Sequence, residues 1–339
     1  MIDKNYSAIF LKIAIGLLIA GFSNASEISI IAVGDIMLGR HIAKDMAKKG
    51  KGYSHPYKLV KNLISSADIA FANLECPISS KGVSTGKKYS FCASTKNLEG
   101  LLYAGFDVLA LANNHIMDYG PEAFSETLKL LKNKNITYVG AGNNLEEARK
   151  AGFFKFANTR IAFLAYDCTF RWSFATDKKA GIAPGRIKEI QQDISKAKKV
   201  SDIIIVSFHW GNEYTSTASK FQKNLAHKTI DAGADIIIGH HAHVIQEIEF
   251  YKEKPIIYGL GNFIFDQAFG DTRKGLAVKF IIKNKQLNKI VCIPITRNYD
   301  KYYPQPAKNQ EKKEIVAYIL KISDWSNYSD RIKNLITFE

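Results

Sequence analysis

The sequence predicts an α/β fold, and three features of the chain support this prediction. Short runs of β-branched and other apolar residues recur from residue 28 onward. Longer stretches with the period of a helix lie between these runs, and polar residues that could bind a metal directly follow several of them. Such alternation is typical of parallel strands that helices cover on both faces.

The predicted strands are nearly continuous apolar runs, as expected for strands buried on both sides. They are residues 28–33, 69–72, 108–112, 137–139, 160–166, 203–208, 236–238 and 256–258. The clearest helices between them are predicted at residues 121–132, 187–199 and 219–232. The first of these opens with Gly120-Pro121, and proline is favoured in the first turn of a helix.

The pattern changes after Gln267. Here the sequence predicts an antiparallel strand pair at residues 276–282 and 289–294. A loop rich in tyrosine, proline and lysine follows at residues 297–308, and two helices are predicted at residues 312–322 and 329–336. No internal repeat or low-complexity linker divides the chain. We therefore expect one catalytic domain at residues 26–296 and a C-terminal extension, a loop plus helices, at residues 297–339.

The N-terminus has the composition of a secretory signal. A short basic region precedes an apolar stretch at residues 8–22, and small residues follow at 23–25. This pattern predicts a signal peptide at residues 1–25 and a mature chain that is exported to the periplasm or the cell surface. An uncleaved membrane anchor is the alternative, but an anchor needs about 20 apolar residues, and Lys12 interrupts this stretch.

The composition indicates a folded protein with a basic surface. Of 339 residues, 46% are hydrophobic and 23% are charged, which excludes a wholly disordered, collagen-like or coiled-coil chain. The 47 basic and 32 acidic residues give a net charge of +15. This charge favours a polyanionic partner, with the alternative that lysines simply coat the solvated surface. The basic runs are short, and we expect no nucleic-acid partner.

The chain has four cysteines, an even number, which would permit up to two disulfides in an exported protein. The alternative is that they are buried thiols, because a chain of this length can be stabilised by its core alone. The cysteines are Cys76, Cys92, Cys168 and Cys292.

Side chains that can bind metals follow five of the predicted strands. They are Asp35, Glu75, Asn114 with His115, His209, and the histidines of His240-His241-Ala242-His243. In open α/β sheets the ligand crevice lies at the carboxyl ends of the strands, so we expect these residues to converge. Intervals of 75 − 35 = 40 and 114 − 75 = 39 residues are long enough for a crossover helix between neighbouring parallel strands.

The residue types indicate a metal centre. Two carboxylates, a carboxamide and several imidazoles suit ions such as Mn, Fe or Zn. A carboxylate between two groups of histidines can bridge two ions about 3.5–4 Å apart. Each motif alone is more often a turn or a helix cap, but five of the eight histidines lie in these clusters.

Taken in order, the motifs resemble the capsule-synthesis family called CapA or PGA_cap, within the calcineurin-like metallophosphoesterase superfamily. The resemblance covers residues 28–275. It rests on Gly34-Asp35-Ile36-Met37, Asn73-Leu74-Glu75, Asn113-Asn114-His115 with Asp118 and Gly120, His209-Trp210-Gly211, Gly239-His240-His241-Ala242-His243 and Leu260-Gly261-Asn262-Phe263.

The resemblance implies a four-layer α/β/β/α sandwich that holds two divalent metal ions. It places Asp35, Glu75 and His243 at the first metal, with Glu75 bridging. It places Asn114, His209 and His241 at the second. His115 matches the residue that protonates or stabilises the leaving group, a role that requires a histidine near the scissile bond and off the metal.

The sequence departs from the superfamily pattern at three positions. Met37 stands where the superfamily has histidine, Glu75 stands in place of aspartate, and Ala242 stands in place of proline. We expect His41 to be one candidate for the missing ligand, and His240 to orient a ligand from outside the metal's coordination sphere.

Further residues are predicted to surround the pocket. Arg40 and Trp210 either contact an extended anionic substrate or pack in the scaffold. The residues that follow a later strand and are expected to line the pocket are Asn262, Asp266 and Gln267.

The resemblance implies an exported protein that makes, tethers or releases a cell-surface polymer, by analogy poly-γ-glutamate, with a dinuclear-metal hydrolase site. The implied partners are this anionic polymer and membrane subunits of a capsule synthase. One alternative is a periplasmic metal-dependent phosphoesterase. Another is a non-enzymatic polymer-binding or assembly subunit whose metal site is structural. The two kinds of site differ in coordination, since structural sites have a closed shell and catalytic sites keep an open position.

Overall fold

The computed structural model describes residues 27–48, 51–297 and 302–339. The predicted signal peptide at residues 1–25 lies outside the described residues. Within the described ranges, no helix combines the length and the apolar composition that crossing a bilayer would require.

The strands follow the predicted apolar runs and extend most of them. In chain order they are β1 Ile28–Ile36, β2 Ile69–Leu74, β3 Val108–Ala110, β4 Thr137–Val139, β5 Ala141–Gly142, β6 Gly152–Phe156, β7 Thr159–Asp167, β8 Gly181–Ile182, β9 Ile203–His209, β10 Ile236–His240, β11 Ile248–Tyr251, β12 Lys254–Ile257, β13 Asn262–Ile264, β14 Lys274–Lys283, β15 Gln286–Thr296, β16 Gln305–Pro306 and β17 Ile336–Phe338.

The helices include all those predicted, together with several short ones that the sequence pattern did not indicate. They are α1 Arg40–Ala47, α2 Lys61–Ser65, α3 Asn97–Ala104, α4 Gly120–Asn133, α5 Leu145–Ala148, α6 Ile187–Lys198, α7 Lys220–Ala232, α8 Asn309–Ile322 and α9 Asp330–Leu335. Helix α7 begins with a capping box, in which Ser219 and Gln222 satisfy each other's backbone N–H groups.

The first sheet has the order β16-β15-β14-β1-β2-β3-β4, with β13 beside β1 and β17 beside β15. Strands β1 to β4 are parallel, whereas β14 and β15 form the predicted antiparallel pair. The last predicted helix ends earlier than expected, because residues from Ile336 onward pair with β15 as the parallel strand β17.

The second sheet has the order β11-β12-β10-β9-β7-β6. Its four central strands, β12, β10, β9 and β7, are parallel, and the edge strands β11 and β6 are antiparallel to their neighbours. Neither edge strand was predicted, because each is only four or five residues long and a charged residue, Lys155 or Glu249, interrupts its apolar run.

The two sheets pack face to face, and helices cover their outer sides. Phe71 on β2 stacks on Phe163 on β7, with ring centroids 5.7 Å apart, inside the core between the sheets. Helix α4 lies against the first sheet, while α6 and α7 cover the second through a separate core that contains Val206, Ile194 and Ala226. The predicted α/β class and the four-layer α/β/β/α sandwich are confirmed.

A close approach of backbones sets the position of β1 at the site. Strand β13 lies parallel to β1, so that Asp35 is in register with Asn262. A Cβ atom on Gly34 would lie 1.8 Å from the carbonyl oxygen of Gly261, which no side chain could tolerate. Gly34 therefore allows the segment after β12 to cross directly beside Asp35.

All four cysteines, Cys76, Cys92, Cys168 and Cys292, are free thiols. Of the two alternatives that the sequence left open, the structure has unbonded thiols, two of them buried and two, Cys92 and Cys168, partly buried. Cys76 and Cys292 are fully buried, and burial raises their pKa well above the ordinary value of a thiol.

Candidate metal centre

The predicted ligands come together where the carboxyl ends of the two sheets meet. Asp35 lies in β1, and Glu75 and Asn114 follow β2 and β3 of the first sheet. The histidines come from the second sheet, with His209 at the end of β9 and with His241 and His243 after β10. The edge at which they converge is therefore shared by two sheets instead of belonging to one. We call these six residues the candidate metal centre.

The two carboxylates lie side by side and are fully buried. Asp35, Glu75 and His209 each offer one ligand atom, and these atoms lie within 4.8 Å of one another. The side-chain amide of Asn73 donates to Oδ1 of Asp35 at 2.8 Å and lies 3.2 Å from Oε2 of Glu75. Asn73 thus holds both carboxylates in place.

Asn73 lies within β2, and its sequence position alone predicts no role for it beyond its place in the Asn73-Leu74-Glu75 motif. Its position opposite Asp35 in the register of β1 and β2 is the signal that identifies it.

Burial and the neighbouring groups act differently on the two carboxylates. Burial opposes ionisation of Asp35, but hydrogen bonds with His240 and His243 hold its pKa well below the usual range. Burial and the charge of Asp35 raise the pKa of Glu75 well above its usual value. Oε1 of Glu75 has no hydrogen-bond partner among the described residues. A divalent cation would stabilise both carboxylates as anions.

The contacts of His243 indicate which of its nitrogens carries the proton. Its Nδ1 atom lies 2.9 Å from Oδ1 of Asn262 and 3.2 Å from Oδ2 of Asp35, and both oxygens are acceptors. Nδ1 therefore carries the proton. The lone pair on Nε2 lies 3.6 Å from the unpartnered side of Glu75, as in a metal-binding imidazole whose other nitrogen is held by an acceptor.

His209 joins the remaining predicted ligands. Its Nε2 atom lies 2.8 Å from Oδ1 of Asn114 and 3.1 Å from Nδ1 of His241. Burial lowers the pKa of His209 well below its usual value and lowers that of His241 to about 3. Both rings are therefore neutral at pH 7, the state in which imidazole binds metals.

The turn that carries two of the histidines has an unusual backbone. His241 and His243 have φ values of 88° and 57°, in the left-handed region that favours glycine. The backbone N–H of Tyr214 donates to the carbonyl of Ala242 at 2.7 Å and holds this turn. Conformations of this kind carry strain and are concentrated at functional sites.

His115 lies beside the centre, directly after Asn114, and is oriented by its own set of contacts. Its Nδ1 atom donates to Oδ2 of Asp118 at 2.6 Å, and its ring stacks on Phe91 with centroids 4.0 Å apart. Lys87 donates to Oδ1 of Asp118 at 2.7 Å and to the carbonyl of Asn114 at 2.6 Å. Burial lowers the pKa of His115, and Asp118 opposes this effect. The free Nε2 atom is thus available for proton transfer.

Two other histidines differ in their relation to the centre. His240 is buried, and its Nδ1 lies 3.1 Å from Oδ1 of Asp35. His240 therefore contacts the predicted ligand Asp35, in agreement with the expectation that it orients a ligand. His41 does not join the centre, because its Nδ1 lies 3.2 Å from Asp266 and its side chain is 65% exposed. The expectation that His41 could replace the missing histidine at position 37 is not supported by this geometry.

Trp210 and Arg40, which the sequence placed either at a substrate or in the scaffold, both contact other parts of the protein. Trp210 is buried, stacks on Phe208 and donates to the carbonyl of Tyr258 at 3.0 Å, so it packs in the scaffold. Arg40 is paired with Asp266 and lies 4.7 Å above the ring of Phe91.

Asn262 and Gln267 form one chain of contacts toward the centre. The side-chain amide of Asn262 donates to Oε1 of Gln267 at 2.9 Å, and its Oδ1 accepts from His243. Asp266 is instead occupied by Arg40 and His41.

The donor set fits a divalent metal. Carboxylate and carboxamide oxygens together with imidazole nitrogens suit Mn, Fe or Zn. The unpartnered Oε1 of Glu75 and the neutral rings of His209 and His241 are the groups that a cation would engage. Fold and cluster together define a four-layer α/β/β/α protein with a candidate metal centre between its sheets.

The chain belongs to the bacterial capsule synthesis protein PGA_cap family, whose model matches residues 29–267. It is 30% identical over 321 residues to the capsule biosynthesis protein CapA of Bacillus anthracis, covering 91% of this chain and 77% of that protein. It is 33% identical over 312 residues to the PGA biosynthesis protein CapA of Bacillus subtilis strain 168, covering 91% and 81%.

The fold is similar to a solved structure as well. A hypothetical protein from Thermus thermophilus aligns with a TM-score of 0.51 at 13% identity, covering 82% of this chain and 100% of that one. At this identity the similarity shows the fold alone.

Proposed function

We propose that this chain is an exported protein of capsule or cell-surface poly-γ-glutamate biosynthesis, and that it cleaves the polymer at a dinuclear metal site. Its two CapA relatives are named for capsule and PGA biosynthesis. The observation that carries the hydrolase part is the unpartnered buried oxygen of Glu75, which lies among Asp35, His209 and His243.

Under this proposal the six residues of the candidate metal centre hold two ions of Mn, Fe or Zn. Asp35, Glu75 and His243 would hold the first, Asn114, His209 and His241 would hold the second, and Glu75 would be shared by both. Such a pair of ions supplies an activated water molecule and stabilises negative charge that develops during the reaction.

The chain's own residues orient these ligands and supply the proton. Asn73 fixes Asp35 and Glu75 through its side-chain amide. In its doubly protonated form, His115 would donate the Nε2 proton to the leaving atom, which is the amide nitrogen in poly-γ-glutamate, and would be left as the neutral ring with its proton on Nδ1. Asp118 accepts the hydrogen bond from Nδ1 and so orients the ring, and Lys87 donates to the other oxygen of Asp118.

The proposal includes the route and organisation of the chain. Residues 1–25 direct export and are removed, residues 26–296 form the catalytic domain, and residues 297–339 form an extension. Pairing of β17 with β15 supports a fixed position of this extension on the domain. The proposed partners are the anionic polymer and the membrane subunits of a capsule synthase.

The experiment is a digestion of poly-γ-glutamate by the purified mature chain with added Mn²⁺. We expect the average polymer mass, measured by size exclusion with light scattering, to fall with time. Asp35→Asn should abolish this change, whereas Asp231→Asn, at an exposed ion pair with Lys252, should not. A constant polymer mass with every metal offered would contradict the hydrolase.

A periplasmic phosphoesterase is the second candidate, and the contact between His115 and Asp118 favours it. A histidine with an anion on Nδ1 suits protonation of an alkoxide or phenoxide leaving group. Hydrolysis of aryl phosphates with an unchanged polymer mass would favour this candidate. Binding of the polymer with neither activity would instead favour a non-enzymatic assembly subunit.

A further inference from the structure

A cleft of about 600 Å³ lies at the end of β7, beside the candidate metal centre. Its lining includes Asp167 and Cys168, and Asp167 is in register with His209 on the neighbouring strand β9. Because neighbouring strands lie about 4.8 Å apart, this end of the cleft is one strand away from a predicted metal ligand. The N–H of Cys168 also donates to the carbonyl of His209 at 2.9 Å. We call this feature the β7 cleft.

The β7 cleft presents positive charge to solvent. Arg171, Lys179 and Arg186 line it. Arg171 has no hydrogen bond or ion pair to an acidic group within the described part of the chain. Arg186 contacts Glu189 at 3.1 Å, but its side chain remains 61% exposed.

The described lining residues include three cations and a single carboxylate. Asp167 is buried, and its oxygens accept hydrogen bonds from the hydroxyl and N–H of Thr169 and from the N–H of Phe170.

Exposed aromatic side chains lie among these cations. Trp172 is 38% exposed and Phe221 is 55% exposed, although large apolar groups are usually buried. Phe170 braces Trp172 through an edge contact with centroids 5.3 Å apart. In a ligand that carries both carboxylates and methylene groups, the carboxylates would contact the cations and the methylene groups would contact the aromatic rings.

The walls of the cleft are preformed by backbone hydrogen bonds. The N–H of Ala175 donates to the carbonyl of Ile182 at 2.9 Å, and the N–H of Thr176 donates to that of Lys179 at 3.0 Å. The nearby β8 pairs with β5. A ligand would therefore meet an ordered surface and would lose little affinity to ordering of the protein.

We infer that the β7 cleft binds a segment of a polymer that carries regularly spaced carboxylates, next to the segment held at the candidate metal centre. This inference rests on the proposed function for the identity of the polymer, which is poly-γ-glutamate. Charge complementarity and the exposed aromatic rings identify the β7 cleft as the place where the polymer continues beyond the candidate metal centre.

The test measures binding of fluorescein-labelled poly-γ-glutamate to the full mature chain by fluorescence anisotropy. The variant Arg171→Glu with Arg186→Glu should raise the Kd about tenfold, since two attractions become repulsions. The matched control, Lys155→Glu with Lys228→Glu, changes two exposed lysines outside the cleft and has the same net charge. It should change the Kd less than about twofold.

A neutral pair, Arg171→Ser with Arg186→Gln, covers the case in which charge reversal disturbs folding, and should raise the Kd about threefold. All variants should keep the metal content of the wild type. Inorganic polyphosphate and uncharged dextran serve as competitors, and we expect unlabelled poly-γ-glutamate to displace the probe at the lowest concentration.

If the cleft and control variants weaken polymer binding equally, the β7 cleft is not the binding site, although the protein still binds the polymer. Stronger competition by polyphosphate would overturn the assignment to carboxylates. If the metal-loaded wild type does not bind the probe, both the assignment of the β7 cleft and the polymer-related function are wrong. The metal content, measured separately, then tests only the candidate metal centre.

Discussion

Nδ1 of His115 lies 2.6 Å from Oδ2 of Asp118, and both side chains are buried. The same carboxylate accepts from Nζ of Lys87 at 2.7 Å and from the backbone N–H of Phe91 at 2.9 Å. These donors fix the carboxylate in place, and the carboxylate in turn holds a proton of His115 on Nδ1. The ring can therefore exchange a proton with a substrate only through Nε2.

This arrangement predicts a dependence on the leaving group. With Mn²⁺ and phenyl phosphate, His115→Ala should lower kcat about 10²- to 10⁴-fold, the usual contribution of a general acid. With 4-nitrophenyl phosphate the loss should be much smaller, because nitrophenolate leaves without a proton. His227→Ala, at a histidine paired with Glu249 outside the centre, is the control and should leave kcat unchanged. Equal losses with both substrates would mean that His115 does not protonate the leaving group.

A second prediction concerns Asp45 and the pH dependence of stability. Asp45 in α1 accepts from Nζ of Lys51 at 2.7 Å and from the hydroxyl of Tyr303 at 2.5 Å. Burial opposes ionisation, but these hydrogen bonds hold the pKa of Asp45 well below its usual range. A lowered pKa in the folded state stabilises the fold above the unfolded pKa of about 3.9, and this contribution is lost as the pH falls further.

Asp45→Asn should therefore lower the free energy of unfolding by about 1–3 kcal/mol at pH 7, the range for hydrogen bonds to a charged group. The difference from the wild type should shrink as the pH falls below about 4, because the unfolded carboxyl then takes up a proton before the folded one does. Urea unfolding at several pH values measures this difference. Asp231→Asn, at an exposed ion pair, should show no comparable effect. A difference independent of pH would point to lost packing instead of lost charge.

The sequence predicted the parts of the fold that depend on local pattern. Continuous apolar runs identified the central strands, and the polar residues at their ends identified the clustering of Asp35, Glu75 and the histidines. The division of these strands between two sheets, the crossing of β13 beside β1 and the role of Asn73 depend on register between distant segments. Apolar periodicity carries no information about that register, and for the same reason the contact of Lys87 with Asp118 could not be predicted.

The free cysteines give a third prediction. Chain purified without reductant and denatured should yield four reactive thiols with Ellman's reagent, because Cys76, Cys92, Cys168 and Cys292 are unbonded. In the folded chain, Cys76 and Cys292 should be unreactive, since both are fully buried and burial raises their pKa. A reduced sample gives the reference value. Two thiols or none in the unreduced sample would show that a disulfide forms.

The fourth prediction separates the two proposed metal sites. Nδ1 of His241 lies 3.1 Å from Nε2 of His209, whereas Nδ1 of His243 lies 3.2 Å from Oδ2 of Asp35. Elemental mass spectrometry of the mature chain should find about two transition-metal ions per chain, and His241→Ala should retain about one. His227→Ala is the matched control and should retain both.

Metal should also stabilise the folded chain. At a free Mn²⁺ concentration about 100 times the Kd, binding to the folded state alone contributes about 2.7 kcal/mol per site. A chelator should therefore lower the Tm of the wild type more than that of His241→Ala, which has one site fewer to lose. Because His241 is buried, its removal also leaves a cavity, so the informative quantity is this change in Tm with chelator and not the Tm itself. Identical changes in the two proteins, together with equal metal content, would place His241 outside the metal's coordination sphere.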